Sequence, residues 1–287
     1  MMATMTSRSG FVSLVGRPNV GKSTLLNAMV GEKVTIVSDK PQTTRSQVRG
    51  VVHRDAGQLV FVDTPGIHKP ITPLGEELNA SATGSMSDVD VVCFVLDATK
   101  SFGAGDQFVA DRIPHDAVAV VNKIDKAKPP EVLAHLSKLA KLDLEAYFAV
   151  SARTGEGVED LVTHLFDRVP EGPAYYPEEM VTDLADAVWV AELVREQLFQ
   201  TLREEMPYSI ATRVTEWDGN RIRCEISVER ESQKGMVIGK GGLVLKQVGT
   251  AVRKQLREGI HLELFVRVDK DWQHRPETFA RFGYRSE

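Results

Sequence analysis

The octapeptide Gly16-Arg17-Pro18-Asn19-Val20-Gly21-Lys22-Ser23 matches the pattern G-x-x-x-x-G-K-[ST]. An apolar run, Phe11-Val12-Ser13-Leu14-Val15, precedes it, and Thr24-Leu25-Leu26-Asn27-Ala28-Met29 follows as a helical stretch. Strand, glycine-rich loop and helix in that order make a phosphate cradle. Glycines let backbone N–H groups point inward, and the helix N-terminus adds partial positive charge. In this frame Lys22 reaches the β/γ-phosphates, the Ser23 hydroxyl holds Mg²⁺, and Thr24 continues the binding turn.

Beyond the helix, a run with poor helical period ends in Pro41-Gln42-Thr43-Thr44-Arg45. Two apolar segments, 48–53 and 59–63, are separated only by a turn around Asp55-Ala56-Gly57. So short a connection forces an antiparallel pair, because a parallel crossover needs a dozen residues or more. Strand-like runs at 89–96, 117–121 and 147–150 then alternate with helical stretches near 104–112, 130–142 and 156–168. Alternation of this kind predicts an α/β domain: a mixed six-stranded sheet, one strand antiparallel, covered by helices. Functional residues of such sheets lie beyond the carboxyl ends of strands. Three polar motifs stand there: Asp63-Thr64-Pro65-Gly66, Asn122-Lys123-Ile124-Asp125 and Ser151-Ala152.

P-loop, threonine loop, D-x-x-G, N-K-x-D and S-A in this order resemble a translational-type GTPase domain over residues 10–168. The resemblance implies a role for each. Asp63 holds Mg²⁺ through water, and the Gly66 N–H touches the γ-phosphate. Thr44, in preference to Thr43, closes over the ion, so Ser23, Thr44 and Asp63 form the metal set. Lys22, Thr44 and Gly66 carry catalysis. The Asp125 carboxylate accepts from N1–H and the exocyclic amine of guanine, which adenine does not offer. Asn122 braces the loop, the Lys123 stem lies along the base, and the Ala152 N–H meets guanine O6. Many GTPases orient the attacking water with a glutamine just after D-x-x-G. Here Ile67 stands in that position, an apolar residue shared with similar GTPases, so slow turnover is expected. A partner or a potassium ion would accelerate it, and Asn19 resembles the asparagine of potassium-activated relatives. Arg45 is expected as a solvated surface charge and His68 as a residue of a flexible loop.

The 287 residues, 42% apolar and 26% charged, suit a globular protein of one large or two ordinary domains. No apolar run approaches the ~20 residues of a membrane span. Residues 1–9 are short and polar, and a disordered tail is expected there. Cys93 and Cys224 sit far apart in apolar runs, as buried thiols of a reducing cytoplasm do. The net charge of −5 is uneven: residues 1–180 carry 18 Lys+Arg against 23 Asp+Glu, and 181–287 carry 17 of each. Neither part is basic, so a nucleic-acid site has to be a local patch.

Residues 170–180 contain Pro170, Pro173 and Pro177 and no helical period, which marks a semi-rigid linker docked by Tyr175 and Tyr176. It parts a first domain, 10–169, from a second, 181–287. In the second, apolar residues from Leu184 to Leu202 predict a long helix stopped by Pro207. Alternating strands at 209–217 and 221–230 flank the turn Asp218-Gly219-Asn220. A loop leads to Gly235-Met236-Val237-Ile238-Gly239-Lys240-Gly241-Gly242, a helix runs to Leu256, and a last strand spans 261–268.

The order α-β-β-α-β with V-I-G-K-G-G resembles a type II KH domain. What this implies is a G-x-x-G loop, Gly239-Lys240-Gly241-Gly242, clamping about four single-stranded nucleotides. Val237, Ile238, Leu245 and Val248 would lie under the bases. From Ser232 to Arg257 the chain has six basic residues (Lys234, Lys240, Lys246, Arg253, Lys254, Arg257) and no acidic one, the local patch that the neutral total concealed.

A G domain followed by a type II KH domain resembles the Era family of GTPases over essentially the whole chain, down to G-R-P-N-V-G-K-S and Q-T-T-R. The resemblance implies a monomeric, cytoplasmic, GTP-gated protein that uses Mg²⁺. It would bind the single-stranded 3′ region of 16S rRNA in 30S subunit assembly and associate peripherally with the membrane. The rival reading is a nucleotide-dependent switch of cell division at the membrane, its KH-like domain contacting protein. Motifs of methylation, nuclease or nucleophilic chemistry are absent from the sequence.

Overall fold

The computed structural model describes residues 7–40, 42–70, 72–202 and 209–284. The described residues fall into two compact units, those within 1–35, 44–71 and 76–183 in the first and those within 36–43, 72–75 and 184–287 in the second.

The first unit is a six-stranded sheet with strand order β2-β3-β1-β4-β5-β6. Its strands are β1 (Arg8–Val15), β2 (Val48–Arg54), β3 (Gly57–Asp63), β4 (Val91–Asp97), β5 (Val118–Asn122) and β6 (Ala146–Ala149). Only β2 runs antiparallel, paired with β3 across the short turn; the other neighbours are parallel. The sheet is therefore mixed with a single antiparallel strand, as the turn length required. Strand β4 is buried at every position, which is why its sequence is a continuous apolar run rather than an alternation. Helices α1 (Lys22–Val30) and α5 (Val158–Arg168) pack into one apolar cluster with Val12, Leu14 and Phe61. Helices α2 (Pro73–Gly84), α3 (Ala104–Ala110) and α4 (Pro129–Leu139) join a second cluster with Phe94, Leu96 and Val121.

Helix α2 has no counterpart in the sequence reading. Its apolar stripe is thin, Leu74, Leu78 and Ala82, among glycine, serine, threonine and asparagine, so tertiary burial rather than propensity makes it helical. Of the expected tail, residues 1–6 lie outside the described residues, while Arg8 and Ser9 open β1 and Ser9 N–H donates to Pro170 O at 3.0 Å.

The proline-rich stretch folds onto the first unit. The Val51 N–H donates to Val181 O at 2.8 Å, and Thr182 Oγ1 to Arg49 O at 2.7 Å, which covers the open edge of β2. The Gln58 carboxamide holds the backbone of Tyr175 and Tyr176, and the Tyr175 ring lies 4.8 Å from that of Phe11.

In the second unit the long helix α6 spans Asp186–Thr201. Strands β7 (Ala211–Asp218), β8 (Arg221–Val228) and β9 (His261–Val268) form a sheet in that order, β7 antiparallel and β9 parallel to β8. Pro207, expected as the stop of the long helix, lies outside the described residues. Where a loop was expected after β8 there is a helix, α7 (Glu231–Ile238), followed by a glycine turn and α8 (Leu243–Arg253). The order is thus α-β-β-α-α-β. Helix α7 escapes a periodicity reading because only Val237 on it is buried. The Gln233 side chain secures its start by accepting from the Glu229 and Arg230 N–H groups at 2.9 and 3.0 Å. A short helix α9 (Glu277–Arg281) follows β9. The buried Arg195 of α6 donates to Thr43 O at 2.5 Å, and Glu196 accepts from the Val37 N–H at 3.0 Å, so α6 anchors both ends of segment 36–43.

Among the described residues no helix is long and apolar enough to cross a membrane. Both cysteines are buried, and burial pushes each thiol up to about 12.

Candidate functional site

Strand β1 delivers the chain into a loop that only glycine permits at its ends. At Gly16, with φ +157°, a Cβ would meet Val95 O at 2.4 Å. Helix α1 starts at Lys22 with no acidic residue in its first turn, so the N–H groups of Lys22, Ser23 and Thr24 are available to an anion. Lys22 is buried, its ammonium donating to the carbonyls of Gly16 (3.2 Å) and Arg17 (3.3 Å), and the loop folds around its head group. Arg17 itself turns away to an ion pair with Asp106 at 3.0 Å.

Three oxygens converge beneath this loop. Ser23 Oγ donates to Asp63 Oδ2 at 2.7 Å, Thr44 Oγ1 to the same oxygen at 3.2 Å, and the two hydroxyls are 3.0 Å apart. Thr43, by contrast, donates to Lys40 O, which separates the two threonines that the sequence left open. Asp63 is fully buried, its Oδ1 has no hydrogen-bond partner, and burial raises its pKa against the pull of Lys22 and the hydroxyls. A buried carboxylate with an orphan oxygen beside two hydroxyls fits a divalent cation, with Ser23, Thr44 and Asp63 as the residues to hold it. Gly66 closes the loop after β3: a Cβ there would lie 2.6 Å from Pro18 N, so only glycine lets its backbone approach the P-loop. Thr64 Oγ1 donates to Leu14 O at 2.9 Å, and Pro65 is buried; both shape the loop.

Burial also brings the Lys22 pKa from 10.5 down to about 8, outweighing attraction by Asp63. A bound triphosphate needs the cation. Nucleotide affinity should therefore be level below pH 8 and fall up to about tenfold per pH unit above it, measured by titrating a fluorescent GTP between pH 7 and 9.5. For the fold the sign is opposite. The native pKa lies below the unfolded one, so the cost of burying the charge is present below pH 8 and fades as pH rises toward 10.5. An affinity that stays flat through pH 9.5 would show that Lys22 keeps its proton in the empty site.

Around the base position, Asn122 is the joint. Its Nδ2 donates to Val20 O at 3.0 Å, and its Oδ1 accepts from the N–H groups of Lys123 (2.7 Å) and Ala152 (3.0 Å). The Ala152 N–H, expected to meet guanine O6, donates here to Asn122 Oδ1, which ties the loops after β5 and β6 together. Ser151 Oγ donates to Asp125 Oδ1 at 2.8 Å and fixes the carboxylate plane. Lys123 stands in the left-handed region (φ +67°), and its ammonium reaches Asn19 O and, at 2.6 Å, Asp97 Oδ2. Asp97 was missed in sequence. Burial tends to raise its carboxyl pKa, but Lys123 and Thr99 hold it below the usual value. Its signal was only its place at the carboxyl end of β4, without a motif around it.

Ile67 is buried in the core of the first unit, and its N–H donates to Gly16 O at 3.1 Å. The position that elsewhere orients water here points into the sheet. Arg45, expected on the surface, is only 1% exposed. His68 is held rather than loose: Nδ1 meets Gly66 O at 3.0 Å, and its backbone pairs with the Asn79 carboxamide.

In the second unit the glycine turn joins α7 to α8. Gly239, Gly241 and Gly242 all have positive φ (+73°, +62° and +78°), and nothing lies within 4 Å of a Cβ placed on Gly241 or Gly242, so the turn is open to a ligand. Lys240 and Lys246 are exposed, and Lys234 is half-buried, 3.7 Å from Glu231. Val237 and Val248 are core residues, 0% and 1% exposed, while Ile238 and Leu245 are half-buried. The apolar side chains beside the turn that do face solvent are Met236 (55%) and Leu243 (57%). Helical phase explains the shift: α7 turns Val237 to its inward face, where it is the buried residue of the helix.

Comparison with known proteins agrees with this architecture. A family model described as 50S ribosome-binding GTPase matches residues 11–123, and one described as KH domain matches 205–273. The chain is 42% identical to the GTPase Era of Nocardioides sp., covering 96% of both, and 41% identical to that of Heliobacterium modesticaldum, covering 96% and 97%. Among solved structures, Era in complex with MgGDPNP and nucleotides 1506–1542 of 16S ribosomal RNA superposes with a TM-score of 0.93. That match has 38% identity and covers 98% of this chain and all of the other. Era of Aquifex aeolicus bound to GDP and aluminium fluoride gives 0.92 at 37% identity, covering 97% and 100%. Fold and site define a P-loop GTPase domain followed by a KH domain. The chain belongs to the Era family of GTPases.

Proposed function

We propose that this protein is a GTP-gated switch that binds the single-stranded 3′ region of 16S rRNA and acts in assembly of the 30S subunit. The observation that carries the reading is the pairing of a guanine-type site, Asn122 to Asp125, with an open glycine turn beside basic residues in one chain. The likeness to an Era bound to a 16S rRNA fragment supports it. Lys22 neutralises phosphate charge, Thr44 and Gly66 respond to the γ-phosphate, and Asp125 selects guanine. Magnesium, when bound, supplies charge neutralisation between the phosphates, held by Ser23, Thr44 and Asp63. With Ile67 in the core, hydrolysis is slow until a partner or a potassium ion near Asn19 assists. Lys234, Lys240 and Lys246 meet the RNA backbone, Gly239 to Gly242 let it approach, and Ile238 lies beside the bases.

The test is crosslinking of the full chain to total RNA with a GTP analogue or with GDP. Enrichment of the 16S 3′ end with the analogue is expected. Equal recovery with both nucleotides would overturn the gating, and recovery of no ribosomal RNA would overturn the substrate.

A further inference from the structure

Helix α8 links the glycine turn to a second feature at its far end. A cavity of about 280 Å³ opens there between the C-terminal end of α8, the start of α6 and the end of β7. Trp189, Trp217, Leu256 and Ile260 line it, with Asp186 and Arg257, both exposed, at its polar part. Trp217 is 37% exposed, and its indole N–H donates to Gly219 O at 3.2 Å, which fixes the ring in the cavity wall. An immobilised, half-exposed indole is a platform, and aromatic platforms bind bases of any sequence by stacking.

The path between the two features is charged. Lys246, Arg253, Lys254 and Arg257 are all exposed, on α8 and the turn after it. Lys246 and Arg253 lie two turns apart on one face of α8, which is about 16 Å long. Lys254 caps its end and Arg257 lines the cavity just beyond, so basic residues mark the way from the glycine turn to the cavity. A positive track ending in an aromatic pocket is the arrangement that single-stranded nucleic acid recognises. A cationic side chain would be repelled by Arg257 and Lys254.

We infer that the Trp189–Trp217 cavity is a second base-binding subsite, which takes a nucleobase of the same single strand after its backbone has followed α8 from the glycine turn. The inference rests on the RNA-binding reading above and extends it to a longer footprint.

The test uses the full chain with RNAs of about four and about ten nucleotides, extended at either end. Of three tryptophans, Trp272 is fully buried and shielded from contact, so quenching by a stacked base acts on Trp189 and Trp217. Trp217→Ala should weaken the longer RNA about tenfold or more and leave the short one within about twofold, while Trp217→Phe keeps most of the affinity. The longer RNA alone should quench the tryptophan emission. Equal affinity of wild type and Trp217→Ala for the longer RNA overturns the subsite, as does emission indifferent to it. Quenching by a peptide in place of RNA assigns the cavity to a protein and overturns it too. Gly242→Asp separates the two readings, because it should abolish binding of both RNAs. A wild type that retains neither RNA overturns the RNA-binding reading and the subsite together.

Discussion

Asp125→Asn is expected to move nucleotide preference from GTP to xanthosine triphosphate by on the order of 10³–10⁴-fold, through a change of a few atoms. The carboxylate can accept from two guanine donors, N1–H and the exocyclic amine. A carboxamide offers one acceptor and one donor, and the donor faces the guanine amine, leaving two donors opposed. Xanthine carries an oxygen where guanine carries the amine, so the amide donor finds an acceptor again. The fold should tolerate the exchange, because Ser151 Oγ can still donate to Oδ1, as it does at 2.8 Å. Competition between GTP and XTP for a fluorescent nucleotide measures the ratio. Retained preference for GTP would mean that another residue reads the base.

Gly242→Asp is the second large effect: loss of RNA affinity by about a hundredfold or more at unchanged nucleotide binding. Gly242 sits at φ +78°, a region aspartate enters more readily than most side chains, and a Cβ there meets nothing within 4 Å. The fold therefore survives, and the consequence is electrostatic: a carboxylate stands where a phosphate must come close. Gly239 would be a poor choice, since its Cβ would lie 2.5 Å from Val244 Cγ2 and strain the start of α8. RNA retention at two salt concentrations, beside a thermal melt, separates charge from misfolding. Undiminished RNA binding by a folded variant would remove the glycine turn from the interface.

Much of the first unit was legible because its signals are local. The turn at Asp55-Ala56-Gly57 is too short for a crossover, so β2 had to be antiparallel. Each motif stands at the end of its own strand, and strand ends are set by short apolar runs. Helices α2 and α7 were not legible, because a thin apolar stripe has meaning only against the surface that buries it.

By itself, then, the sequence determined the α/β class, the single antiparallel strand, the order of the nucleotide motifs and the glycine turn, all properties of contiguous residues. Only the tertiary structure decided which groups share an environment. It set Thr44 rather than Thr43 beside Asp63, tied the Ala152 backbone to Asn122, paired Lys123 with Asp97, and drew Ile67, Arg45 and Val237 inside. The physical reason is range. Propensity and spacing act within a turn or a strand, whereas a hydrogen bond or a buried face depends on residues tens of positions away, brought together only when the sheet assembles.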